Sequence, residues 1–455
     1  MNPVLKKAYN NCKPDEYLKW NDDRYVSLSA MGLRGSDGDI VAELEDAIAI
    51  ADGEAHLLFS GFRGSGKTTE LLRLQHQLEK NGYVVVYVDT DEYLNLTVPA
   101  TVSDLWISIA AGFSRFLMDK KYIDNTQSFW KRLQSFLEQE IKIENFKFGV
   151  SGVAELELSL KQNSEFRDKL NKALEDKRPR LVKECRGFLD ESIGEIARKN
   201  PATLGTVLIL DSFEKLQGDA RNEDEVRQSV ETMFIRDWKL LKTPCHAIYT
   251  VPSWLSFTET GADCDLGRTY LLPMCKVSER EKNDDGGYKI SPYQGGIDAM
   301  LDLLGKRMNL EQIFGGRKQV EPLVILSGGY PRDLLRMIRE VILRNTKTEA
   351  LPISPEKLRS DIDRVIEIYT ESYELGLDGA DLPLLCKVAI NHSLSGWTGK
   401  DKLRLARLFD RHFVLSYQNG EKWLDLHPLL SNTSVMKNAL EECKAEKDKA
   451  KEGEP

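Results

Sequence analysis

The residues whose types and spacing best suit chemistry are Gly61, Phe62, Arg63, Gly64, Ser65, Gly66, Lys67 and Thr68, which fit the pattern GxxxxGK[ST]. Glycines at these spacings let backbone N–H groups turn inward on a phosphate with no Cβ in the way. The run that follows from Thr69 reads as a helix, whose N-terminus favours an anion. Lys67 has the reach to meet the β- and γ-phosphates of a nucleotide, and the Thr68 hydroxyl suits a Mg2+ ion. A second constellation is Val207-Leu208-Ile209-Leu210-Asp211, followed by Ser212, Phe213 and Glu214. A carboxylate at the tip of a buried strand can hold the Mg2+ shell, the role expected of Asp211. Glu214 is then the candidate to orient or activate the attacking water, so Glu214, Asp211 and Lys67 form the expected catalytic set. The alternative for Asp211 is a strand-end residue that caps a following helix.

Local patterns supply the elements that must hold these groups. Residues 56–60 (HLLFS) read as a short buried strand entering the loop. Residues 69–81 read as an amphipathic helix stopped by Gly82, and Tyr83–Asp89 as a continuous apolar run typical of a parallel strand. Strand, loop, helix, strand opens a doubly wound domain. The expected fold class is therefore α/β: a P-loop NTPase core, a parallel sheet with helices on both faces. The sheet resumes at Gly205 with TVLILD and again at His246–Val251 (HAIYTV).

Composition shifts divide the chain further. Residues 1–38 read as an N-terminal strap, and 39–292 as the core, with a charged, mostly helical insertion at about 114–200. Inside that insertion, 155–161 (ELELSLK) alternates like an exposed strand or hairpin. A loop rich in Gly and Asp is expected around 283–287. Residues 293–377 read as a helical lid and 378–435 as a winged-helix-like domain, whose FVLSYQNGEKWLDL is two strands around Asn419–Gly420. The charged tail, 436–455, reads as a frayed helix with a disordered end.

Charge and cysteine usage exclude several classes. The 455 residues carry 63 Lys plus Arg against 72 Asp plus Glu, a formal charge of −9, so no whole-protein electrostatic hold on nucleic acid is implied. No apolar run approaches the roughly 18 residues a membrane span needs, and the first 23 residues are polar. Seven scattered cysteines without a CxxC pair suit a reduced, cytoplasmic protein with no membrane partner. Lys402, Arg404, Arg407 and Arg411 fall near one side of a helix carrying Leu405, Leu408 and Phe409 on its other side. That is either a DNA-facing recognition helix or a solvated face interrupted by Asp401 and Asp410.

GFRGSGKTTEL, LILDSFEKL, the strand ending in YTVP and SGGYPRDLLRMIRE resemble prokaryotic P-loop ATPases of the AAA+/STAND group, relatives of NACHT and origin-recognition ATPases. The resemblance spans about residues 25–345, apart from the insertion. It implies an ATP hydrolase with ATP and Mg2+ bound, acting as motor or nucleotide switch in a multi-protein system such as bacterial anti-phage defence. Its partners would be a homo-oligomer or an effector protein, with DNA reached through the winged helix. It further implies phosphate contacts from Gly61, Arg63, Gly64, Ser65, Gly66, Lys67, Thr68 and Thr69. Thr250 would be the γ-phosphate sensor and Arg332 a second sensor from the lid. The lead-in chain would cover the adenine, with Tyr25 stacked there or packed as part of the strap, and Arg236 or Arg268 would be a finger to a neighbouring subunit. In that group the residue after the strand-end Asp is often acidic; here it is Ser212. A slowly hydrolysing assembly switch is therefore the second expectation, and a DNA-binding regulator the third. Leu326-Ser327-Gly328-Gly329 follows Asp211, whereas the similar ABC-transporter signature precedes its acidic strand, and that assignment fails. His427-Pro428-Leu429-Leu430 resembles the end of STAND winged helices, and His427 is expected to be structural.

Overall fold

Continuous apolar runs make the central sheet, because strands covered on both faces bury every side chain. In the computed structural model of the chain, β1 (His56–Gly61), β2 (Tyr83–Asp89), β3 (Gly205–Asp211), β4 (His246–Val251) and β5 (Thr269–Leu272) form one sheet in the order β2-β3-β4-β1-β5. The β2/β3, β3/β4 and β4/β1 pairs are parallel. The structure describes residues 2–35, 38–123, 128–133, 135, 161, 171–172, 174, 176–219, 221–257, 266–283, 287–348, 350–394, 401–419 and 421–452. The alternating segment at 155–161 lies, but for Lys161, outside the described residues. No helix among the described residues is long and apolar enough to cross a membrane.

The chain divides into two compact units. One comprises Ala42–Ser60 and Leu71–Leu271; the other comprises Met1–Val41, Gly61–Glu70 and Leu272–Pro455. In the sheet unit, register sets Ser60 beside Val251 and Asp89 beside Asp211, so β1, β3 and β4 all end at one edge. The helix Val102–Asp119 starts at a reciprocal cap. The Thr101 N–H donates to Asp104 Oδ2 at 2.8 Å, and the Asp104 N–H donates to Thr101 Oγ1 at 3.3 Å. This helix runs on through Ser114, where the insertion is expected to begin, and it lies close on β2. A Cβ at Gly112 would stand 2.4 Å from a Val88 methyl. The helix Arg178–Lys199 packs against it through a face that buries Leu181, Cys185, Phe188 and Leu189.

The second unit carries the Gly61–Glu70 segment and a helical core. Pro3–Asn11, Gln294–Gly305, Pro331–Arg344 and Pro355–Leu375 share that core through residues such as Leu5, Met300, Leu304, Ile338 and Val365. The expected Gly/Asp loop at 283–287, of which 284–286 lie outside the described residues, falls between β6 (Ser278–Lys282) and β7 (Tyr288–Pro292), which pair as an antiparallel hairpin. β6 (SEREK) is polar on both sides, which hides the hairpin from an alternation pattern, and Arg280 stacks on the Tyr288 ring at 4.3 Å. The helices Leu382–Asn391 and Lys402–Asp410 precede the hairpin of β8 (Val414–Asn419) and β9 (Glu421–Leu426). In the tail, Ser434–Glu452 is one helix, docked on Leu382–Asn391. A fully buried Met436 and a Cys386 thiol donating to the Ala439 carbonyl at 3.4 Å anchor its first turns, which composition alone could not reveal.

Candidate functional site

The loop after β1 is built by backbone conformations that side chains resist. Gly64 and Gly66 sit at φ +80° and +104°, and the helix Lys67–Lys80 begins at the loop's end. Lys67 is only 3% exposed, and its Nζ folds back to donate to the carbonyls of Gly61 at 2.8 Å and Phe62 at 2.9 Å. Ser65 is buried, and its hydroxyl has no hydrogen-bond partner among the described residues. The Thr69 hydroxyl accepts from the Leu18 N–H at 3.2 Å. Tyr25 donates its hydroxyl to the Glu70 carboxylate, 3.2 and 3.3 Å from the two oxygens, which fits the packed-strap alternative for that residue.

Within the same unit, the start of Pro331–Arg344 is held on this loop. Tyr330 donates its hydroxyl to the Arg63 carbonyl at 2.5 Å, and the Arg332 side chain crosses Gly64. A Cβ at Gly64 would stand 2.4 Å from Arg332 Nε, so close approach as well as φ requires glycine there. Arg332 also forms an ion pair with Asp15 at 3.3 Å. Phe62 packs its ring near Phe409 (5.6 Å) and His412 (5.9 Å), and His412 stacks on Tyr330 at 4.8 Å. Desolvation, with Arg332 and Arg63 nearby, pushes His412 down to about 3, so it is neutral at pH 7.

Sequence reasoning missed one residue at this loop. Arg34, from the strap, is 2% exposed and donates Nη1 to the Ser65 carbonyl at 2.7 Å. Its Nε and Nη2 have no hydrogen-bond partner among the described residues. The only local signal is an arginine between glycines in MGLRG, which says nothing about what it meets.

The basic residues of Lys402–Asp410 and just beyond it are used inside the unit. Arg404 pairs with Asp381 at 3.1 Å, Arg407 with Asp378 at 3.5 Å, and Arg411 donates to the Gly376 carbonyl. These pairings fit the solvated-face alternative; the Lys402 side chain lies outside the described residues. His427 is fully buried. Its Nδ1 accepts the Leu429 N–H at 3.2 Å and caps a short helix, and its ring stacks on Tyr373 at 4.5 Å.

In the sheet unit, the end of β3 is tightly organised. Asp211 is fully buried; its Oδ1 accepts the Ser212 N–H at 2.7 Å and its Oδ2 accepts the Tyr87 hydroxyl at 2.6 Å. Burial and the neighbouring Asp211 raise the Tyr87 phenol far above its ordinary range, so it remains a donor. Ser212 adopts a left-handed conformation, φ +70°, and is buried. An ionised carboxylate at that position would be desolvated, which disfavours an acid there. The Phe213 N–H donates to Thr250 Oγ1 at 3.0 Å, tying β4 to the turn that carries the buried Glu214. Asp211, Glu214 and Thr250 are thus brought to one place in this unit. Arg236 and Arg268 are exposed, the latter lying over the Tyr270 ring at 4.8 Å. Ser212→Gly should stabilise the chain by about 1 kcal/mol by removing the left-handed strain. Denaturant titration checks this, and a lower midpoint would show that the serine side chain is needed.

No protein-family model matches the chain, and no curated protein sequence matches it. Among solved structures it is similar to the ORC2 protein of Aeropyrum pernix in ADPNP–ADP complexes, with 11% identity, 90% of this chain and 93% of that chain covered, and a TM-score of 0.38. It is also similar to Drosophila ORC bound to DNA, with 11% identity, 97% and 92% coverage and a TM-score of 0.38. The Aeropyrum pernix ORC1 protein in complex with DNA shows 14% identity, 89% and 91% coverage and a TM-score of 0.35. The chain is therefore similar to these ORC structures along most of its length, at low identity.

Proposed function

We propose that this chain is an ATP-binding P-loop ATPase of AAA+/STAND type, a motor or nucleotide switch in a multi-protein system. The observation that carries the reading is the loop itself: Gly64 and Gly66 at positive φ, Lys67 buried within it, and a helix beginning at its end. Gly61, Arg63, Gly64, Ser65, Gly66, Lys67, Thr68 and Thr69 would hold the phosphates. The unused donors of Arg34 and the positive-φ backbone at Gly64 and Gly66 fit an anion there. Mg2+ would take the Thr68 hydroxyl and the Asp211 carboxylate, a hard-oxygen set suited to an ion that keeps several waters. When bound, that ion neutralises charge on the phosphate oxygens. Glu214 would accept a proton from the attacking water, and Thr250 and Arg332 would sense the γ-phosphate. Phosphate release from ATP by the purified chain tests the reading, and failure to bind any nucleotide would end it.

Slow hydrolysis is the second reading, favoured by one feature: both Asp211 oxygens already accept hydrogen bonds, and Ser212 stands where an acid would serve. Nucleotide extracted from the freshly purified protein separates the two. A retained stoichiometric nucleotide with little turnover supports the switch. A third reading, DNA binding, gains nothing from Arg404 and Arg407, which face Asp381 and Asp378. Bacterial anti-phage defence as the setting rests on the STAND resemblance alone. Arg332→Ala should narrow the difference in affinity between ATP and ADP more than it weakens either, because Arg332 lies on Gly64. Titration of both nucleotides checks this, and an unchanged ratio removes the sensor role.

A further inference from the structure

We propose that Arg34 is a phosphate ligand that grips the diphosphate of a nucleotide held on the Gly61–Thr68 loop, supplied in cis by the strap. The inference rests on the reading of that loop as a nucleotide site. A guanidinium offers five N–H donors, and burying one without partners is among the costlier things a fold can do. Arg34 is 2% exposed, yet among the described residues it makes one hydrogen bond, to the Ser65 carbonyl, while Nε and Nη2 have no partner. It has no ion pair with a described acid. Such an arrangement is costly in the bare protein and favourable once an anion arrives.

The position fits that ligand. Nη1 lies 3.7 Å from where a Cβ on Gly66 would stand, so the guanidinium rests on the stretch of loop whose N–H groups precede Lys67. Arg332 approaches the same loop at Gly64. The backbone holds Arg34 in place. The Leu33 N–H donates to the Leu28 carbonyl at 3.2 Å, the Leu33 carbonyl accepts the Lys276 N–H at 3.0 Å, and the Leu33 side chain is part of the helical core. A planar fork fixed in this way is preorganised for two phosphate oxygens, as a flexible lysine is not.

The test compares wild type, Arg34→Met and Arg34→Lys for binding of ADP, inorganic pyrophosphate and AMP by calorimetry, with melting temperatures measured without ligand. Arg34→Met is expected to lose roughly 10- to 100-fold in affinity for ADP and pyrophosphate and much less for AMP, with Arg34→Lys between them. Its ligand-free melting temperature should equal or exceed that of wild type, because unpartnered buried donors are removed. Wild-type affinity for ADP and pyrophosphate in Arg34→Met would overturn the proposal while leaving the nucleotide reading intact. A fall in ligand-free melting temperature without selective loss of the diphosphate ligands would also overturn it, assigning Arg34 to structure alone. If wild type binds neither ADP nor pyrophosphate, the nucleotide reading falls and this proposal with it.

Discussion

Lys67→Ala is expected to lower affinity for ATP by roughly 10²-fold or more while leaving the fold in place. The loop offers backbone N–H groups and glycine flexibility, and Lys67 is the cation inside it. Its Nζ is bonded to the Gly61 and Phe62 carbonyls and buried with them. Without a ligand those two carbonyls satisfy the charge; with one, the ammonium can turn to the phosphates at little cost, since it stays out of bulk water in either position. Removing it strips two carbonyls of their partner, so a stability loss of about 1–3 kcal/mol should accompany the lost affinity. Calorimetric titration with ATP and a circular dichroism spectrum together check the expectation. Normal ATP binding by a folded Ala variant would remove the phosphate assignment of this loop.

The next largest effect belongs to the acidic end of β3. Glu214→Gln should keep nucleotide binding and slow hydrolysis by roughly 10²-fold or more, since glutamine cannot take the proton from water. Asp211→Asn should slow hydrolysis at least as much and also weaken dependence on Mg2+. The structure adds a reason for caution in choosing Asn. Oδ1 and Oδ2 accept from the Ser212 N–H and the Tyr87 hydroxyl, so an amide nitrogen would face one of two donors. Tyr87 can rotate its hydroxyl to accept instead, which makes that side of Asn tolerable. Turnover in both variants, measured across Mg2+ concentrations, decides between the roles. Unchanged turnover in Glu214→Gln would pass the proton to another carboxylate. Asp91 and Glu92, the next candidates, are half-exposed and paired with Lys215 and Arg115 respectively.

Much of this protein was legible in the sequence because the relevant signals are contiguous. The apolar runs at Tyr83–Asp89, Gly205–Asp211 and His246–Val251 become β2, β3 and β4 with the bounds their patterns indicate, since a strand covered on both faces can be nothing but apolar. The Asn419–Gly420 pair marks the β8–β9 hairpin for an equally local reason, the turn geometry those residues favour. The glycine loop announces itself by residue type alone. What the sequence could not state was everything set by approach between distant segments. β5 is four residues long, too short for any periodicity, and becomes a strand because β1 has a free edge beside it. The β6–β7 hairpin hides because β6 (SEREK) carries charged residues on both faces. Tyr87 reaches Asp211 only because β2 and β3 pair in a register that sets Tyr87 beside Ile209 and Asp89 beside Asp211. Arg404 and Arg407 look like a free basic face until folding sets Asp381 and Asp378 against them. Arg34 is the clearest case. Its position 31 residues before Ser65 carries no periodicity or motif, and its meaning comes from burial and one 2.7 Å hydrogen bond. Local chemistry wrote the loop and the strands; long-range packing chose which charges stand beside them and which are neutralised elsewhere.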